Sequence, residues 1–154
     1  EINADKFVPV DNTLIPTGNL ASVDDTPFDF RAPTLVGKHI NSKNEQVTLG
    51  GGYDHCWVLN NQGKGYRSVA KAYHPDSGRT MEVLTDQPGM QFYTGNFLDG
   101  TLPTPNGGVF GKRSGFCFET QHYPDSPNQP QFPSTVLEPD EKYETKTTFK
   151  FSVN

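Results

Sequence analysis

The chain has 154 residues and a net charge of -5, long enough for one domain with a core and without the basic excess that draws nucleic acid or anionic membranes. Its 15 Gly and 13 Pro argue against a helical protein, because both residues break helix interiors. The 11 Phe, 6 Tyr and one Trp offer large apolar faces to short strands.

In chain order, Ile2 to Leu20 (INADKFVPVDNTLIPTGNL) reads as short extended pieces broken by Pro9, Pro16 and Gly18. Asp24 to Pro33 is a polar, proline-bounded loop, and Leu35 to Asn44 has room for one helical turn. Strands are expected over Gln46 to Leu49 and Tyr53 to Leu59, separated by the run Gly50, Gly51, Gly52. Ser68 to Tyr73 and Thr80 to Thr85 flank His74-Pro75-Asp76-Ser77-Gly78-Arg79, a hairpin signature. Pro88-Gly89 suits a type II turn in which Gly89 takes positive φ, leading into a strand over Met90 to Thr94.

The last segment alternates most regularly. Tyr143, Thr145, Thr147, Phe149, Phe151 and Val153 share one face, and Lys142, Glu144, Lys146, Thr148, Lys150 and Ser152 the other. A period of two over that length predicts a half-buried antiparallel strand. The fold class is therefore all-β, and a sandwich of antiparallel sheets is the natural way to bury such faces.

Glu119 is the first candidate for chemistry. In Phe116-Cys117-Phe118-Glu119-Thr120-Gln121, the phenylalanines share one face and Glu119 lies on the other with Cys117 and Gln121. Anchored phenylalanines hold the carboxylate in a defined direction, as a general base requires; a solvated strand glutamate is the alternative. Pro124, Pro127, Pro130 and Pro133 follow at spacings of three, which lines one edge of a polyproline II helix. Such a segment is either a ligand for a recognition module or a stiff loop bracing the site, with Tyr123 and Phe132 as anchors.

Asp54 opens a strand after the glycine run, and His55 points to the opposite face, so the two cannot share one ligand. Asp54 suits a hydrogen-bond acceptor for a polyhydroxylated molecule. Gln91 and Tyr93 share a face and offer an amide and an aromatic surface, a pairing suited to sugars, although an ordinary strand edge has the same pattern. His39, His74 and His122 have no metal-ligand spacing. Cys56 and Cys117 lie in apolar stretches and read as buried thiols of a reducing compartment. With no signal-peptide pattern after Glu1 and no apolar run long enough to cross a bilayer, a cytoplasmic location is expected.

Three segments together resemble a family. GGYDHCWVLN, QPGMQFYTGNFLDGT and SGFCFETQHYPDSPNQPQFPST stand in an order and spacing similar to the carboxy-terminal half of the aldose 1-epimerases, the galactose mutarotases. INADKFVPVDNTLIPTG at the start and TVLEPDEKYETKTTFKFSV at the end look similar too. The resemblance implies a β-sandwich enzyme that interconverts the α and β anomers of galactose and glucose by ring opening, with no metal or organic cofactor. By motif it makes Glu119 the general base, with Asp54 and Gln91 as substrate-binding residues. At Cys56 relatives more often carry Asn, a departure beside the site.

The family's general acid, a histidine, belongs to sequence before Glu1, as do a second active-site histidine and an arginine. The expectation is therefore one portion, residues 1–154, of a single sandwich domain whose other half comes from a companion chain or segment. A non-catalytic carbohydrate-binding protein, and a mutarotase module fused to a UDP-galactose 4-epimerase, stay open as alternatives. A phosphorylated hexose is disfavoured, because Arg31, Arg67, Arg79 and Arg113 are scattered and form no phosphate clamp.

Overall fold

In a computed structural model, which describes residues 1–153, the chain forms eight strands in two antiparallel sheets. These are β1 (Ala4–Val8), β2 (Ala21–Ser22), β3 (Asp54–Leu59), β4 (Arg67–His74), β5 (Arg79–Thr85), β6 (Gly89–Tyr93), β7 (Cys117–Gln121) and β8 (Thr147–Val153). The larger sheet runs β2-β1-β3-β6-β7 and the smaller β4-β5-β8. Their facing sides pack into one core: Trp57, Met90, Phe92 and Phe118 from the first meet Val69, Ala70 and Val83 from the second. The all-β sandwich expected from the residue pattern is the observed architecture.

The Asp24 to Pro33 loop turns out to be part of that core. Phe28 and Phe30 are buried, and Phe28 stacks on Phe7 with ring centroids 4.1 Å apart. Its backbone carbonyls receive the two buried aromatic donors, Trp57 Nε1 to Phe28 at 3.0 Å and the Tyr53 hydroxyl to Pro27 at 2.9 Å. A polar sequence with aromatics at every second position can thus line a core from a loop.

Gln46 to Leu49 is not a strand. It lies in a short helix, α1 (Glu45–Leu49), because the Asn44 side chain accepts the amides of Gln46 and Val47 and so caps a helical turn. The helical turn allowed for Leu35 to Asn44 is a 3-10 turn at Val36–Lys38. Gly89 does not take positive φ. Its lack of a side chain serves close packing instead: a Cβ there would lie 2.8 Å from Cys56 Sγ and 2.9 Å from a Tyr123 ring carbon.

The terminal alternation exists, but its burial does not. Strand β8 begins only at Thr147, because Tyr143 and Thr145 are held by side chains of the β5–β6 turn rather than by a ladder. Gln87 donates to the Tyr143 hydroxyl at 2.8 Å, and the Thr145 hydroxyl donates to Asp86 at 2.6 Å. Phe149, Phe151 and Val153 are 43%, 73% and 75% exposed. They share the inward face with Val83 and Met81 of β5, but β8 is the outer strand of its sheet and nothing among the described residues covers it.

Candidate active site

The register of the larger sheet decides which side chains meet. Val8, Cys56, Gln91 and Glu119 form one row across β1, β3, β6 and β7. Asp54, Tyr93 and Cys117 form the next row. Both rows face away from the core, since His55, Phe92 and Phe118 occupy the other side. Asp54, Gln91 and Glu119 are therefore brought together on one surface, as the two-residue period required.

Gln91 Nε2 donates to Asp54 Oδ1 at 2.9 Å. Burial raises the Asp54 pKa above the ordinary carboxylate value, and the Gln91 hydrogen bond opposes that rise. Gln91 Oε1 is buried with no partner in the protein, so it retains an acceptor to offer. Glu119 is exposed. Cys117 is exposed too, contrary to the expected buried thiol, because it precedes Phe118 on the outward face. Its thiol pKa is raised by partial burial and by the negative charges of Glu119 and Asp54. Cys56 is buried as expected, and burial pushes its pKa up to about 12.

His55 lies beneath this surface. It is fully buried, with its ring edge-on to Phe28 and Phe7, and burial lowers its pKa to about 4. Its Nδ1 accepts the Asp54 amide at 3.2 Å, so it steadies the Asp54 backbone rather than facing the same space. His122 Nδ1 is 3.0 Å from Gln87 Oε1, and His74 Nδ1 is 3.0 Å from Ser77 Oγ.

Two loops wall the outward face. Leu14, Pro16 and Pro124 border a cleft of about 80 Å³ beside Asp54 and Gln91. The proline-spaced segment packs as a brace and is not a continuous polyproline II helix: Asp125 is left-handed and Ser126–Asn128 is a 3-10 turn. Tyr123 and Phe132 pack edge to face at 5.3 Å and join Val8 and Cys56 in a small second core. Gln131 Nε2 donates to the Gly18 carbonyl at 2.7 Å, clasping the two loops together. Gln46 holds the first loop by both its amide groups, to Val10 N at 2.8 Å and Val10 O at 2.9 Å.

A larger hollow, about 460 Å³, lies elsewhere and is lined by Gln87, His122, Tyr143 and Thr145. Those polar groups are already bonded to one another, so it offers fewer free contacts than the Asp54–Gln91 surface. Among the described residues no group of three or more His, Cys, Asp or Glu is placed to hold a metal ion. No helix among them is long and apolar enough to cross a membrane.

A family model described as aldose 1-epimerase matches residues 1–150. The chain belongs to the aldose 1-epimerase family. It is 52% identical over 152 residues to galactose mutarotase of Rattus norvegicus. It is 35% identical over 153 residues to aldose 1-epimerase of Escherichia coli. Among solved structures it resembles galactose 1-epimerase from Lactobacillus acidophilus, at 27% identity over 99% of the chain with a TM-score of 0.81. An aldose epimerase homologue from C. elegans gives 25% identity over 99% of the chain with a TM-score of 0.78. The chain spans less than half of these relatives, from 43% to 45% of their lengths.

Within this chain of the aldose 1-epimerase family, positions the residue pattern did not single out hold the candidate site in shape. Buried Asn96 donates to the carbonyls of Gly50 and Tyr53, each at 2.8 Å, and ties the glycine run to the end of β6. Arg113 donates to Asn41 Oδ1 at 2.8 Å and to the Gly51 carbonyl at 2.9 Å. Only the neighbourhood of turn glycines hinted at such roles. Arg31 pairs with Asp5, Asp24 and Asp29, and Arg67 donates to backbone carbonyls. Three of the four arginines are thus engaged away from any phosphate clamp.

Proposed function

We propose that this chain carries the basic half of an aldose 1-epimerase site for galactose and glucose, with Glu119 as general base and Asp54 and Gln91 as sugar-binding groups. The observation that supports it is the single row and its neighbour: Gln91 stands opposite Glu119 and is bonded to Asp54. Gln91 bridges from Asp54 on one side to the exposed Glu119 carboxylate on the other, a line of polar groups on one sheet face that suits holding a polyol while a proton is taken. Glu119 removes the anomeric hydroxyl proton, the C1–O5 bond opens, C1–C2 rotates, and the ring closes on the other face of the aldehyde.

Ring opening also needs a proton delivered to the ring oxygen. None of His39, His55, His74 and His122 stands in the family's acid motif, with His55 under the sheet and His122 and His74 bonded elsewhere, and that acid is assigned to a companion chain or segment carrying the rest of the family's length. The exposed inward face of β8 is where such a segment would pack. Two unpaired cysteines suit a reducing, cytoplasmic setting. The test is Glu119→Gln in the complete protein, with galactose mutarotation followed by polarimetry. Loss of turnover with retained sugar binding is expected; a near-normal rate would remove Glu119 from the role of base.

A further inference from the structure

Tyr93 ends β6 on the same face as Gln91, in register with Asp54 on one side and Cys117 on the other. Its ring lies against Phe97, with centroids 6.1 Å apart and planes 17° from parallel. The pair is held from several directions. The Phe97 amide donates to the Tyr93 hydroxyl at 3.0 Å, and Gly95 reverses the chain between them at φ +66°. The Gly95 carbonyl accepts the Arg113 amide at 2.9 Å, and the neighbouring Asn96 side chain is the buried anchor to Gly50 and Tyr53. Despite this framework, Phe97 remains 57% exposed. These contacts fix the backbone that carries Phe97, and its ring, stacked on Tyr93 yet left open, is a positioned apolar surface.

We propose that the Tyr93–Phe97 pair is the platform on which the C–H face of the pyranose rests while Asp54 and Gln91 hold its hydroxyls. This rests on the sugar-epimerase reading of the same site and adds a selector to it. In galactopyranose the hydrogens on C3, C4 and C5 all project to one face, giving a continuous apolar patch. In glucopyranose the C4 hydrogen points to the opposite face and breaks that patch. An aromatic surface at this position therefore favours galactose over glucose, through the face of the ring rather than through any hydroxyl.

The experiment uses the complete protein carrying Phe97→Ala, Phe97→Leu or Phe97→Trp, with kcat and KM for both sugars and Kd by calorimetry. Phe97→Ala and Phe97→Leu are expected to raise KM and Kd for galactose about three- to tenfold, to change kcat far less, and to narrow the preference over glucose. Phe97→Trp, which keeps an aromatic face, is expected to stay near wild type. Saturation transferred from aromatic protons is expected to concentrate on H3, H4 and H5 of bound galactose and to fade in Phe97→Ala. Unchanged KM and Kd in Phe97→Ala, or saturation spread evenly over the ring, overturns the platform. Glu119→Gln in the same assays separates the two ideas: a normal rate there removes the base, while the binding and saturation data still decide the platform. If no variant binds either sugar, both fall.

Discussion

Gln91 and Glu119 stand directly opposite each other on β6 and β7, and the same Gln91 amide donates to Asp54 from the diagonal position on β3. One neutral side chain thus lies between two carboxylates, bonded to one and a cross-strand neighbour of the other.

That arrangement makes Gln91 a control on the charge of Asp54. Gln91→Met keeps the approximate volume and removes the donor that favours the ionised form. The Asp54 pKa, already raised by burial, is expected to rise further, as followed by carboxyl carbon NMR across a pH titration. No movement, or a fall, would show that the hydrogen bond does not set the protonation of Asp54.

Gly89 tests how tightly the loop brace is seated. A methyl group there meets Cys56 and Tyr123 at under 3 Å, and both are buried in the second core. Gly89→Ala is expected to destabilise the chain by about 1–3 kcal/mol through overpacking, read from urea unfolding midpoints. Loss is expected even though the φ of Gly89 suits alanine.

His55 gives a pH signature. Its folded pKa is about 4 against 6.5 unperturbed. Above pH 6.5 the ring is neutral folded and unfolded, so it adds no pH dependence there. Between 6.5 and about 4 only the unfolded chain takes up the proton, and stability falls as pH falls, by about 3 kcal/mol in total. Urea unfolding of wild type and His55→Phe at pH 7, 5.5 and 4.5 measures it. Parallel slopes in the two proteins would show that the loss arises elsewhere.

The exposed face of β8 should behave as a contact surface. Phe151→Lys replaces a side chain that is 73% exposed, so the stability of this chain alone is expected to change by less than about 0.5 kcal/mol. Any self-association seen by sedimentation is expected to drop, and binding to the companion segment proposed above to weaken. A clear loss of stability in the isolated chain would mean that Phe151 is packed at home.

Much of this was legible from residue alternation. The placement of Asp54, Gln91 and Glu119 on one face follows from a period of two, and the hairpin at Pro75 to Gly78 from its turn residues. Gln46 to Leu49 is helical where a strand was expected, because four residues cannot distinguish strand from helix; the decisive side chain is Asn44, whose capping role outweighs the β-branched Val47 and Thr48. Gly89 lacks the expected positive φ: a proline-glycine pair signals a turn, while the neighbours that require a glycine there, Cys56 and Tyr123, are distant in sequence. The β8 face was read correctly as apolar, but burial depends on what lies opposite, which alternation cannot specify. The same limit hid Asn96 and Arg113, whose bonds join segments more than forty residues apart.

Strand β7 closes its sheet with a neighbour on one flank only, β6. The carboxylate proposed to do the chemistry is therefore mounted on one of the less constrained strands, with half of its backbone donors and acceptors meeting no ladder partner among the described residues. Whatever comes to lie along that free side will steady the aim of Glu119. Assembly and catalytic competence would then rise and fall together, as properties of a single joint.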